Sequence, residues 1–350
     1  MAEISSEIKY RMPAEWETHK STIICWPHQK EDWPGKFAPI PWVYAEIVRK
    51  IIPGEKVNIL IQSKAEKEKV KKILAKVHVD LSYIEFVVAE TDRGWMRDTS
   101  PAFVKSEDNI YCALFKFNGW AKYDNWKKDK NIPKILSKSL KINLIDVLHN
   151  NQKVVLEGGS IDINGKGTLI TTEECLLDEK IQTRNPGFTK SDYETIFKKY
   201  LGITNVLWLG KGIAGDDTHG HVDDLCRFVN KDTVVLCRDK NQSDDNYYNL
   251  EENFEHVEDF KLEDGSKLNV FELPMPSPLH FEDLRLPASY ANFYICNQAV
   301  LVPTFNDKND KLALGIISEL LPNKEVIGIH AVDLVWGLGT LHCLTHEEPA

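Results

Sequence analysis

Short apolar, β-branched and aromatic runs recur along the whole chain, at 21–26, 56–62, 84–88, 110–115, 154–156, 167–171, 206–209, 232–237, 268–273, 291–303 and 325–330. Polar or turn-forming residues bound most of them, which predicts strands of about 4–8 residues. Between the strands, apolar residues fall at helical spacing over 189–200, 245–258 and 310–321. Ser63-Lys64-Ala65-Glu66 reads as a capping box that opens a further helix, reaching about residue 77. Gly202 stands where the 189–200 helix should stop, since glycine takes the left-handed conformation of a helix end at little cost. The stretch 27–41 holds four prolines and several polar turn formers, and predicts an ordered loop.

Strands and helices thus alternate from end to end without a break in composition. That pattern predicts an α/β fold and one catalytic domain over 1–350. It is not a clean β-α-β-α series: the runs at 161–164 and 167–171 flank Gly165 as a hairpin would, so a mixed sheet or several small sheets are expected. No G-x-G-x-x-G follows an early strand to suggest a dinucleotide.

Hydrophobic residues at 42% and charged residues at 27% are ordinary for a water-soluble globular chain with a sizeable core. No apolar run approaches the roughly 18 residues of a membrane span, and residues 1–10 lack the apolar centre of a secretory signal. Both point to a cytoplasmic protein. Seven cysteines, an odd number without a CxxC pair, suit neither zinc nor a disulfide framework and predict reduced thiols. The net charge of −10 argues against nucleic acid and is compatible with a cationic substrate. It leaves homo-oligomer formation open.

Four stretches carry candidate chemistry. Trp95-Met96-Arg97-Asp98 lies between two strands, and a carboxylate beside an aromatic offers a guanidinium a bidentate acceptor and a flat face. Glu157-Gly158-Gly159 ends an apolar run, where a carboxylate is desolvated unless it opens on a pocket or finds a partner. In His219-Gly220-His221-Val222-Asp223, strand geometry would point His221 and Asp223 to one face, and His219, His221 and Asp223 together also resemble a metal-binding H-x-H-x-D run. Finally Gly337-Leu338-Gly339 runs toward Cys343, and Gly339 would let backbone approach the same ligand as the thiol.

The ordered set W-M-R-D-T-S-P, E-G-G, G-H-V-D and G-x-G-x-x-H-C-x-T resembles the agmatine deiminase family, which is related to the bacterial peptidylarginine deiminases. Met12-Pro13-Ala14-Glu15-Trp16, Phe117-Asn118-Gly119-Trp120 and the 207–213 segment extend the likeness over most of the chain. The resemblance implies the pentein fold, a pseudo-fivefold α/β propeller of ββαβ modules. It also implies Cys343 as nucleophile, His221 as general acid/base supported by Glu157, and Asp98 and Asp223 as the grip on the guanidinium. Trp95, Trp120, Asp217 and Gly339 match positions around the substrate, agmatine, with the product entering putrescine synthesis. Leu338, Thr340 and Leu341 depart from the Gly, Asn and Ile common in the family, and Ala121-Lys122 replaces a Gly pair after Trp120.

The chemistry holds without the family. Two carboxylates can localise the charge of a guanidinium, a thiolate can attack its carbon, and an imidazole can move the protons, with no metal or other cofactor required. His342 adjoins Cys343, but neighbours on an extended strand face opposite ways, which predicts a structural role. The competing expectations are an arginine or peptidyl-arginine deiminase, an amidinotransferase, and a metal-dependent hydrolase using His219, His221 and Asp223.

Overall fold

The computed structural model describes residues 9–350. The stretch 1–10, expected to carry no secretory signal, therefore lies mostly outside the described residues. Among those described, no helix is long and apolar enough to cross a membrane.

Five sheets of three or four strands carry the fold, with two short ribbons at Leu148–His149/Gln152–Lys153 and His280–Phe281/Leu284–Arg285. All five share one wiring: an antiparallel pair, then a strand added parallel after a helical crossover, as parallel pairing requires. Ala102–Ser106, Asn109–Leu114 and Asn143–Asp146 enclose helix Ile132–Leu140. Asp162–Ile163, Thr168–Thr172 and Asn205–Leu209 enclose Lys190–Leu201, and Cys226–Asn230, Thr233–Arg238 and Asn269–Pro274 enclose Tyr247–Val257. Tyr294–Ile295, Ala299–Thr304 and Glu325–His330 enclose Asp310–Leu320. The fifth unites the two ends of the chain: Thr345–Pro349 runs antiparallel to His19–Cys25, with Lys56–Ile61 and Ile84–Val88 following in parallel.

Most expected elements lie within a residue or two of their predicted ends, and the hairpin around Gly165 is present. Gly202 ends its helix at φ +73°. Thr189 and Asp192 make a reciprocal capping box, whereas Ser63 caps through the N–H of Glu66 and the Glu66 carboxylate reaches one residue further back, to the N–H of Gln62 at 2.6 Å.

The differences have local causes. Helices Ile40–Ile51 and Ile132–Leu140 both carry proline in the first turn, where its missing N–H costs nothing; the loop predicted for 27–41 thus ends in a helix start. The run 154–156 is extended but makes only a single parallel bridge, Val155 to Lys116, and on its other edge the Asn185 side-chain amide takes both the N–H (2.9 Å) and the C=O (2.8 Å) of Val155. The long run 291–303 breaks into two strands. Val222–Asp224 and Leu341–Leu344 are helical turns rather than strand.

Those turns recur. Met96–Thr99, Gly158–Ser160, Val222–Asp224, a turn at 290–291 and Leu341–Leu344 each stand just ahead of the first strand of an antiparallel pair.

Candidate active site

Each of the five turns delivers one buried polar side chain or more to a common place. The first supplies Asp98, the second Glu157, the third His221 and Asp223, the fourth Asn292 and the fifth Cys343. His221 and Asp223 converge from a turn, not from alternation along a strand.

His221 stands at the centre. Its Nδ1 lies 3.9 Å from Asp98 Oδ1 and 3.9 Å from Asp223 Oδ1, and its Nε2 lies 3.8 Å from Glu157 Oε2. Asp98 is held from two sides, by the N–H of Gly159 at 2.9 Å and by Trp120 Nε1 at 2.8 Å. Asp223 Oδ2 bonds His342 Nδ1 at 2.7 Å, while Oδ1 has no hydrogen-bond partner among the described residues. Glu157 accepts from Arg184 Nε at 3.2 and 3.3 Å. A Cβ at residue 159 would sit 2.5 Å from His221 Nδ1 and 3.0 Å from both Asp98 and Asp223, so Gly159 leaves open the space between the carboxylates and the imidazole.

Cys343 Sγ faces this space, 3.8 Å from Asp223 Oδ2 and accepting from Asn292 Nδ2 at 3.1 Å. Asn292 is itself fixed, with Oδ1 accepting from Thr340 Oγ1 at 2.8 Å and from the N–H of His342 at 3.0 Å. Thr340, one of the departures from the family pattern, thus has a defined partner. Gly339 leaves room as well, since a Cβ there would lie 2.9 Å from the Trp95 ring and 3.3 Å from Sγ. Leu338 is left-handed at φ +66°, a conformation suited to the glycine it replaces.

The charges are arranged for a cation. Burial, followed by the negative charge of Asp223, Asp224 and Asp98, pushes the Cys343 thiol well above its ordinary value. Burial also raises Asp98, with Asp223 and Glu157 adding to it against the pull of His221 and Trp120. Burial opposes charge on His221, but Asp98, Cys175 and Glu157 outweigh it and hold the imidazole well above the usual range. Asp223 and Glu157 go the other way: His342 and Arg184 respectively overcome burial and keep them low. A guanidinium entering between Asp98 and Asp223 would relieve the repulsion that holds the thiol protonated.

Trp95, Asp98, Trp120, Asp217, Gly339 and Cys343 all line one pocket, together with Arg93, Thr218, Gly337 and Leu338. At its outer end Asp217 pairs with Lys122 and accepts from Tyr123 Oη at 2.6 Å. Arg93 lies over the Tyr123 ring at 4.2 Å and pairs through Nε with Asp32 Oδ1 at 3.2 Å.

The metal-run expectation is not met in its geometry. His219 turns away to Asp178, 2.7 Å from Nε2, and does not join His221 and Asp223. Glu157, Cys175 and His221 do bring ligand-type atoms within 4.8 Å of one another, but Arg184 already occupies the Glu157 carboxylate.

His342 stays off the thiol, as expected, though on a helical turn and not a strand. Its Nε2 bonds Glu15 Oε2 at 2.8 Å, and Glu15 also holds Arg97 (3.0 Å), Arg227 (3.0 Å) and the N–H of Ile295 (2.8 Å) in a buried layer beneath the pocket. Sequence reasoning missed Asn292, Arg184, Asp224 and the role of Glu15. For Asn292 the available signal was its place, a few residues ahead of a strand, like the other site residues.

The chain resembles agmatine deiminases over nearly its whole length. It is 31% identical to one from Pseudomonas aeruginosa (97% of this chain, 96% of that one) and 34% identical to one from Medicago truncatula (97% and 96%). The solved agmatine deiminase of Enterococcus faecalis superposes with a TM-score of 0.89 at 27% identity, covering 100% of this chain and 99% of that one. Residues 11–349 match the profile of one family, so the chain belongs to the Porphyromonas-type peptidyl-arginine deiminases.

Proposed function

We propose that the protein is an agmatine deiminase, converting agmatine and water into N-carbamoylputrescine and ammonia. The observation that carries this is the placement of Cys343 Sγ 3.8 Å from Asp223 in a pocket that Asp98 and a third carboxylate, Asp217, also line. A guanidinium fits between the first two carboxylates, and an amine tail fits the third. The agmatine deiminases among its relatives support the same substrate.

In the proposed sequence, Asp98 and Asp223 hold the guanidinium, and its positive charge favours the Cys343 thiolate. Sulfur attacks the guanidino carbon and forms a C–S bond. The C–N bond to a terminal nitrogen breaks as His221 gives that nitrogen a proton, and ammonia leaves an S-alkylthiouronium on Cys343. His221 then takes a proton from water, whose oxygen attacks the same carbon. The C–S bond breaks, returning the electron pair to sulfur, and the ureido product departs. Glu157, fixed by Arg184, keeps His221 charged and oriented; Trp95 and Trp120 wall the site, and the Gly339 backbone lines it.

We place this chemistry in one catalytic unit whose five equivalent sheets surround the pocket as a pseudo-fivefold pentein propeller. The product would feed putrescine synthesis in the cytoplasm.

Arg93, which lines the pocket, and Lys122, paired with the lining Asp217, favour a second candidate, free arginine, whose carboxylate they could meet. Both already pair with acids, Asp32 and Asp217, which leaves agmatine ahead. Ammonia release from agmatine, arginine and a peptidyl-arginine, measured side by side, tests the choice. Agmatine should exceed the others by orders of magnitude in kcat/KM, and a preference for arginine would end the claim.

A further inference from the structure

The loop after Trp120 carries a cation into the substrate's own territory. Trp120 and Ala121 are consecutive left-handed residues, at φ +57° and +54°, and Ala121-Lys122 stand where the family commonly has a glycine pair. Trp120 faces inward to Asp98 at 2.8 Å, while the Lys122 ammonium pairs with Asp217. Gln182 stitches the two loops together, donating to the carbonyls of Trp120 (3.0 Å) and Asp217 (3.1 Å). Tyr123 Oη holds the other oxygen of Asp217 at 2.6 Å, so both oxygens of that carboxylate are engaged.

Lysine ends in an ammonium on a four-carbon stem. So does agmatine beyond its guanidinium. We propose that Lys122 is a built-in stand-in for the distal ammonium of the substrate, and that its displacement from Asp217 sets the enzyme's affinity for amine-tailed guanidines. This rests on the agmatine reading of the pocket. The pair can exchange because it is partly open: the Lys122 side chain is 42% exposed and that of Asp217 16%. An ion pair at such a site is held loosely and can be displaced by a second ammonium delivered at high effective concentration by a guanidinium already bound between Asp98 and Asp223.

Lys122 is therefore a specificity-determining residue whose removal should improve binding. In Lys122→Ala and Lys122→Gln, KM for agmatine should fall about two- to fivefold, the range expected when a partly exposed ion pair no longer competes. KM for butylguanidine, which has the same reactive end and no ammonium, should not move. Lys122→Arg, which keeps a cation near Asp217, should stay close to wild type, and Asp217→Asn should raise KM for agmatine alone. Melting temperatures of the variants separate these effects from damage to the loop. An unchanged or higher KM for agmatine in Lys122→Ala, or an equal shift for butylguanidine, overturns the proposal. A loss of activity confined to arginine would instead make Lys122 a carboxylate reader, and also overturns it. Wild-type protein that does not turn over agmatine at all would sink the activity assignment itself, a result distinct from normal turnover with an indifferent Lys122.

Discussion

Asp223 uses its two oxygens differently: Oδ2 bonds His342 Nδ1 at 2.7 Å, and Oδ1, buried 3.9 Å from His221 Nδ1, has no hydrogen-bond partner among the described residues. A buried carboxylate oxygen without a partner is costly, so the free oxygen marks where a cationic group is received. His342 keeps the carboxylate charged and aimed. His342→Phe should therefore weaken agmatine binding about 10- to 100-fold, the loss typical of a hydrogen bond to a charged group. Calorimetry in a Cys343→Ala background reads this directly, and an unchanged Kd would reduce His342 to a packing residue.

The Cys343 thiol should ionise late in the free protein, because burial and three carboxylates raise it. Its alkylation by iodoacetamide should reach half-maximal rate above the ordinary thiol value of about 8.5. A bound guanidinium lowers the same pKa, so binding releases a proton in the pH window between the two values. Affinity should then rise with pH across that window. A half-maximum near pH 6, or label on Cys226 or Cys237 in place of Cys343, contradicts the charge arrangement.

Cys343→Ala should bind agmatine and not turn it over, since Asp98, Asp223 and Trp95 remain. His221→Ala should accumulate the covalent adduct on Cys343 with an activated guanidine, because water then lacks its base. Each loss should exceed about 10²-fold in kcat. Mass spectrometry of quenched protein checks the pair, and turnover by Cys343→Ala would rule out the thiol mechanism.

Gly159→Ala places a methyl group 2.5 Å from His221 Nδ1 and 3.0 Å from Asp98 and Asp223. Activity should fall at least about 100-fold, as misplaced catalytic groups commonly cause. Gly315→Ala is the contrasting case. It lies inside helix Asp310–Leu320 with nothing within 4 Å of its Cβ, and should stabilise the protein by about 0.5–1 kcal/mol. Thermal melts and assays of both variants test the two halves.

Activity should persist in EDTA, because His219 points to Asp178 and Arg184 holds Glu157. Stoichiometric metal lost together with activity on chelation would reverse this expectation.

What could be read from the sequence follows the range of the interactions. Strands and amphipathic helices are local patterns, and Cys343, His221, Asp98, Asp223 and Glu157 sit in short motifs that keep their order. The helices at Ile40 and Ile132 were hidden because proline is both a loop signal and a good first-turn residue. Asn292 and Glu15 escaped for another reason: their partners are 51 and 327 residues away, at Cys343 and His342, so no window of sequence contains the contact. The same holds for Lys122 and Asp217, which are 95 residues apart. The turns at 222–224 and 341–344 read as strand because strands follow closely, and three or four residues are too few to show a helical period.

The repetition of one turn ahead of five antiparallel pairs makes the site a conjunction. Asp98, Glu157, the pair His221 and Asp223, Asn292 and Cys343 each come from a different turn, so no single unit holds two of the proposed reacting groups Asp98, His221 and Cys343. Partial folding earns no partial catalysis. Catalytic output in this molecule is thus a readout of whole-chain assembly, and local opening of any one sheet should silence it before the others lose their structure.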